Sequence, residues 1–353
     1  MQVLASSTTV VAALLAMAGG HLAALHQGGQ STHPAEHSAC HPVTVTVAKT
    51  IGLPGVGGHG DVVRSDPGAR SVYISQSPDN NVVVINTRTN SIRAVVPGVI
   101  DANGIDYGPR YVFVAEASAG KVAVISKATW RVVASVPSGG AAPDAVYYDS
   151  RDRSVFVGNV DSGNMEEFSA TAPFSIRGAL RLGPANPKAG EDLGTYVRRT
   201  DRIYQSVDNT VAVINAHTRT VEKVYTLPVP ASESSKDIYY DRWHHVLWVA
   251  TTAAEVLAVN PETGVVEATV KTASGIDEVT GDPGRNLLFL GEGKAGVMGV
   301  VDMNSKKNIM NIPTESGFHT LAYQRGSGNV YAYLNYANKV TVYDVDRAHS
   351  WRG

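Results

Sequence analysis

Cysteine is nearly absent from this 353-residue chain. Its single residue, Cys40, excludes an internal disulfide framework and any cysteine-built zinc or iron–sulfur centre. Charge is scarce and balanced: 18% of residues are charged, 30 Lys+Arg face 32 Asp+Glu, and the net charge is -2. No run of cations occurs, and phosphate neutralisation needs clustered cations, so nucleic acid is excluded as the main partner. No apolar run approaches the ~20 residues that a spanning helix requires, so no membrane span is expected. Neither a Gly-x-Ser-x-Gly elbow nor a phosphate-binding P-loop is present, which removes two familiar hydrolase and nucleotide routes. What the chain does have is 43% hydrophobic residues, enough for a large core, with 34 Gly and 17 Pro spread along its length. Such a distribution describes many short strands joined by tight turns.

The N-terminal segment stands apart. Met1 to Leu25 contains an apolar stretch from Val10 to Ala18, followed by Gly19, with small residues at Ala16 and Ala18. Residues 1–24 read as a secretory signal peptide cut before Gly19 or near Ala23–Ala24, and a secreted location is expected. No Lys or Arg precedes the apolar stretch, and a disordered arm is the alternative. Residues 25–42 read as a flexible linker rich in Gly, Ser, Gln and Pro. His21, His26, His33, His37 and His41 cluster around it beside Cys40. Their irregular spacing favours a solvated tail over a metal site.

From Val43 onward the chain repeats itself. DVVRSDPGARSVYIS begins at Asp61, NGIDYGPRYVFVA at Asn103, DAVYYDSRDRSVFVG at Asp144 and DLGTYVRRTDRIYQS at Asp192. KDIYYDRWHHVLWVA follows at Lys236, DEVTGDPGRNLLFLG at Asp277 and HTLAYQRGSGNVYAY at His319. The starts are separated by 42, 41, 48, 44, 41 and 42 residues. A third strand continues the units, as in NVVVIN at Asn81, KVAVIS at Lys121 and TVAVIN at Thr210, with NMEEFS at Asn164 departing from the pattern. A fourth strand follows in the first six units. A period of 40 to 45 residues with four strands per unit predicts an all-β, seven-bladed β-propeller over residues 43–347, with 348–353 as a tail. The seventh unit lacks its fourth strand, and VTVTVAKTIGLP from Val43 to Pro54 is expected to supply it. That pairing would close the ring and remove two open sheet edges.

The third-strand pattern Val-x-Val-Ile-(Asn/Asp/Ser), the phrase TGVVEATV from Thr263 to Val270, and the second-strand phrases VYIS, VFVA and VFVG resemble YVTN-type repeats of YncE-like propellers. The resemblance covers Val43 to Asp346. It implies a binding scaffold or, as in related lactonase-type families, an enzyme. In length, leader and propeller organisation the chain is also similar to fungal hetero-Diels–Alderases of tropolone-sesquiterpenoid biosynthesis.

In a propeller the first strand of each unit lines the central channel. The aligned first position is polar in all seven units: Asp61, Asn103, Asp144, Asp192, Lys236, Asp277 and His319. His59, Asp101, Glu191, Asp237 and Glu278 lie beside it. Carboxylates crowded there should raise one another's pKa, while Lys236 and a protonated His319 would lower them. A strand-capping turn role fits Asp61 and Asp144 equally well; Lys236 and His319 are poor turn formers. Asp66, Asp149, Asp241 and Asp282 recur at the opposite turn and are expected to be structural. A second ring closes the second strands at Gln76, Glu116, Asn159, Val207, Thr251, Glu292 and Leu334, in which Glu116 and Glu292 are candidate general acids or bases. His244 and His245 are expected on the surface, with Trp243 packed on the blade edge. Lys236 argues against a Ca²⁺ ring, and no metal and no cofactor is expected.

The function expected from these residues is binding of a small, largely apolar molecule in the channel mouth, with cofactor-free cyclisation or cycloaddition as its chemistry. Lys236, His319 and His59 would donate to a developing negative oxygen. Asp192, Asp277, Glu116 or Glu292 would accept or shuttle a proton. A non-enzymatic binding propeller and a lactonase-type enzyme are the alternatives, and association into homo-oligomers is compatible with each.

Overall fold

Val43–Gly52, which becomes β1, pairs antiparallel with Lys339–Arg347, which becomes β28, so the two ends of the described chain meet in one sheet. The computed structural model describes residues 42–182 and 191–347. The expected leader, the His-rich linker as far as residue 41, Cys40 and the tail from residue 348 lie outside them. Among the described residues the strands β1–β28, numbered in chain order, form seven four-stranded antiparallel sheets. Six sheets are consecutive in sequence. The seventh runs β1-β28-β27-β26, with β26 at Thr320–Gln324 and β27 at Asn329–Leu334. The predicted seven-bladed propeller, closed by its N-terminal strand, is the architecture the chain adopts.

The composition of each strand follows its place in the blade. The second and third strands of blade 1, β3 (Ser71–Gln76) and β4 (Asn81–Asn86), are buried almost throughout, whereas the fourth, β5 (Ser91–Pro97), is mostly exposed. β-Branched residues dominate the middle strands because both of their faces pack against a neighbouring blade. Val72 and Ile74 of blade 1, for instance, share a cluster with Tyr331 and Tyr333 of blade 7.

The innermost strands are β2 (Val63–Asp66), β6 (Ala102–Tyr107), β10 (Pro143–Asp149), β14 (Glu191–Val197), β18 (Ser235–Asp241), β22 (Ile276–Asp282) and β26. Each touches the innermost strand of the next blade, and β2 touches β26, closing the ring around the channel. At their far ends the recurring aspartates hold the turns. Asp66 Oδ1 accepts from Ala69 N at 2.9 Å, Asp149 Oδ1 from Arg151 N at 2.7 Å, Asp241 Oδ1 from Trp243 N at 2.9 Å and Asp282 Oδ1 from Gly284 N at 2.9 Å. That is the structural role expected of them. Trp243 departs from expectation. It is 65% exposed, with the Arg242 guanidinium 4.8 Å above its ring, because the turn carries it past the blade edge.

Candidate functional site

In blades 2 to 6 the innermost strand breaks register at its start, between Ala102 and Ile105, Pro143 and Val146, Glu191 and Gly194, Ser235 and Ile238, and Ile276 and Val279. Each break contains the aligned polar position: Asn103, Asp144, Asp192, Lys236 or Asp277. A bulge removes its residue from the ladder and re-aims the side chain. Here the result is a ring of polar groups at the channel's entry mouth.

The ring is tightly coupled. Lys236 Nζ donates to Asp192 Oδ2 at 2.6 Å and lies 3.3 Å from Asp277 Oδ1. His319 Nε2 stands 3.9 Å from Asp277 Oδ2, and the rings of His319 and His59 have centroids 5.7 Å apart. Asp144 hydrogen-bonds Asp61 across the axis. Burial pushes both of these carboxyls up, Asp144 well above the usual range. Burial also pushes Asp192 up to about 7 against the pull of Lys236. Lys236 is itself raised: burial pulls it down, but Asp192 and Asp277 more than offset that. The structure thus brings together Lys236, His319, His59, Asp192 and Asp277, residues spread over 260 positions of sequence.

Glu116 and Glu292 lie elsewhere, each turned into its own blade. Glu116 Oε1 accepts from Ile100 N at 2.9 Å and Glu292 Oε1 from Ala273 N at 2.8 Å, so each secures the connection that enters its blade. Glu292 is fully buried, with Oε2 unpartnered among the described residues, and burial pushes it up to about 7. Since the fold penalises the ionised form, its contribution to stability declines as pH rises from 4.5 through 7. Glu292→Gln is expected to leave stability at pH 4 nearly unchanged and to raise it by on the order of 1–3 kcal/mol at pH 8, read from urea midpoints. A gain equal at both pH values would contradict this account.

Deeper in the channel lies a second charged layer built on Arg64. Asp106 Oδ2 accepts from Tyr148 N at 2.7 Å, Asp237 Oδ2 from Val279 N at 3.1 Å and Glu278 Oε2 from Leu321 N at 2.9 Å. Each bond crosses from one blade to the next, so these carboxyls latch neighbouring blades together. Burial pushes Asp237 up to about 6 and Glu278 well above its ordinary value.

Beyond Arg64 lies the exit mouth, the end with the aspartate turns. A cavity of about 690 Å³ is walled by Tyr107, Tyr147, Tyr148 and Tyr196, with Arg64, Asp106 and Lys127 among its polar groups. A second cavity, of about 320 Å³, shares Arg64, Ser65, Tyr107 and Thr195 with the first and reaches Asp237, Tyr239 and Glu278. Lys127 pairs with Asp66 and sits 4.5 Å above the Tyr107 ring. The entry mouth was the expected ligand site; there the side chains pair with one another across the axis, whereas at the exit mouth flat aromatic rings leave space. Arg64, Asp106 and the tyrosines escaped the sequence reading. Their signal was two aligned columns: three positions after the first column stand Arg64, Asp106, Tyr147, Thr195, Tyr239, Thr280 and Ala322, all lining these two cavities, and four positions after it stand Tyr107, Tyr148 and Tyr196.

Among the described residues two groups bring three possible metal ligands within 4.8 Å of one another: His59, Asp61 and His319 at the entry mouth, and Asp152, Asp201 and His217 on the outside. No helix among them is long and apolar enough to cross a membrane.

No family model and no curated protein matches the chain. Solved structures do. The chain is similar to a chain of hydrazine synthase from Kuenenia stuttgartiensis, at 14% identity and a TM-score of 0.71, over 84% of this chain and 96% of that one. It is also similar to virginiamycin B lyase from Staphylococcus aureus, at 15% identity and a TM-score of 0.69, over 86% of this chain and 99% of that one. At such identities the likeness shows the propeller fold.

Proposed function

We propose that the chain binds a small, largely apolar molecule carrying one acidic group, with its body between the exit-mouth tyrosines and its anionic group on Arg64. Arg64 is the observation that carries this reading. A guanidinium has five N–H donors. Nε is committed to the Ile105 carbonyl at 2.9 Å, and among the described residues the terminal nitrogens have no hydrogen-bond or close ion-pair partner. Burial pulls the pKa of Arg64 down, but Asp106, Asp237 and Glu278 more than offset that, so the group stays charged. Those carboxyls direct oxygens to backbone N–H groups rather than to the guanidinium. An uncommitted guanidinium lining an aromatic cavity suits a carboxylate, phenolate or sulfonate, and the volume is that of a small-molecule site.

The probe is 8-anilinonaphthalene-1-sulfonate, an aromatic anion whose fluorescence reports its burial. Saturable single-site binding is expected, weakened at least about tenfold by Arg64→Gln and retained by Lys236→Met, at unchanged melting temperature. Equal binding by the Arg64→Gln variant would overturn the placement.

A second reading, cofactor-free cyclisation or cycloaddition, is favoured by the channel carboxyls. Asp192 near 7 and Asp237 near 6 exchange protons close to neutral pH, as a general acid–base step requires. Lys236 and His59 would then donate to a developing oxyanion, with Asp192 and Asp277 as acceptors, whereas the Nδ1–H of His319 is committed to the Gly317 carbonyl. Liquid chromatography with mass detection after incubation with a polyene and a quinone methide separates the two readings: an adduct of summed mass indicates cycloaddition, a separated isomer of unchanged mass indicates cyclisation, and unaltered compounds indicate binding.

A further inference from the structure

We propose that His59, Asp61 and His319 form a binding site for a divalent first-row transition-metal ion of the zinc class, straddling the junction where the propeller ring closes. This site is at the entry mouth and stands independently of ligand binding at the exit mouth.

The first ground is the state of His319. Its Nδ1 lies 2.7 Å from the Gly317 carbonyl oxygen. A carbonyl can only accept, so Nδ1 carries the proton and Nε2 presents a lone pair. That Nε2 is buried and has no hydrogen-bond partner among the described residues; Asp277 Oδ2, at 3.9 Å, is too distant. A histidine whose far nitrogen is tied to a backbone carbonyl, leaving a bare buried lone pair, is oriented as metal ligands are.

The second ground is what gathers beside His319. One ligand atom each from His59, Asp61 and His319 lies within 4.8 Å of the others. Bonds of about 2.0–2.2 Å to one ion need ligand atoms roughly 3–3.5 Å apart, so the widest pair must close by up to about 1.3–1.8 Å. His59 can supply that movement, being exposed on the connection between β1 and β2. Two imidazoles and one carboxylate with open positions suit zinc, cobalt or ferrous iron better than calcium or magnesium.

The third ground is location. His59 and Asp61 lead into blade 1, whereas His319 opens the innermost strand of blade 7. An ion held by all three would join the blades that the N-terminal strand brings together, so binding should stabilise the closed ring.

The test uses the full chain with His21, His26, His33, His37 and His41 replaced by Ala and Cys40 by Ser, which removes metal capture by the N-terminal tract. Titration calorimetry with Zn²⁺ and visible spectra with Co²⁺ should show one site, and Zn²⁺ should raise the melting temperature. His59→Ala, in an exposed loop, and His319→Ala should each weaken binding at least about tenfold, while His217→Ala leaves it unchanged. Absence of binding, binding indifferent to His59→Ala and His319→Ala, or binding lost with His217→Ala would overturn the proposal. A variant that loses metal binding but keeps binding of the naphthalene sulfonate would confirm that the two mouths act separately.

Discussion

Deleting Val43–Gly52 is expected to abolish folded protein, whereas a chain that begins at Val43 should melt like the full-length one. β1 pairs with β28 along its whole length, from Val43 opposite Arg347 to Gly52 opposite Lys339. Its inward residues close two interfaces. Val43 and Val45 pack with Leu287 and Phe289 of blade 6 and Leu321 of blade 7, while Ile51 packs with Val63, Val72 and Ile74 of blade 1. Burying three such side chains stabilises the fold by roughly 5–9 kcal/mol, comparable to the whole margin of about 5–15 kcal/mol for a typical domain. The deletion also opens β28 as an unpaired edge, a template for aggregation. Soluble yield and thermal melts by circular dichroism decide it. A chain starting at Gly55 that melts like the full-length protein would refute closure by β1.

Gly104→Ala should be the most damaging single methyl at the channel, costing more than about 3 kcal/mol, while Gly52→Ala should change stability by less than about 0.5 kcal/mol. A Cβ on Gly104 would lie 1.6 Å from the Asp144 carbonyl oxygen and 2.8 Å from its carbonyl carbon. Both are backbone atoms of the next blade's innermost strand, so no side-chain rotation can relieve the clash. The only accommodation is to force blades 2 and 3 apart, which would also draw Asp144 away from Asp61. Gly52 has nothing within 4 Å of the equivalent position. Chemical denaturation of the two variants side by side makes the comparison. Equal midpoints would mean that the blades are not packed this closely.

These predictions differ in how far the sequence anticipates them. Seven polar starts at intervals of 41 to 48 residues predict seven blades, and VTVTVAKTIGLP at Val43 predicts the closing strand, because both depend on local strand patterning and on counting. Gly104 looks like any glycine in the phrase NGIDY. Its role depends on how near a neighbouring backbone passes, which no local pattern encodes.

The polar ring was legible for the same reason as the blades. A repeat places each aligned residue at an equivalent point around one axis, so Asp61, Asp144, Asp192, Lys236, Asp277 and His319 had to converge. The direction of each side chain was not legible. Glu116 and Glu292 occupy an aligned column as regular as that of Lys236, yet they turn into their blades because Ile100 and Ala273 offer N–H groups there. His59 belongs to no repeat column. It meets His319 only because the connection from β1 crosses the mouth to start blade 1, and that crossing exists only once the ring is closed. The fold, its number of blades and its closing strand were therefore determined by the sequence, through periodicity and β-propensity. Which mouth holds the larger cavity, which carboxyls burial pushes up and which histidine keeps a bare nitrogen were decided by tertiary structure, since each depends on distances between chain segments that only packing brings together.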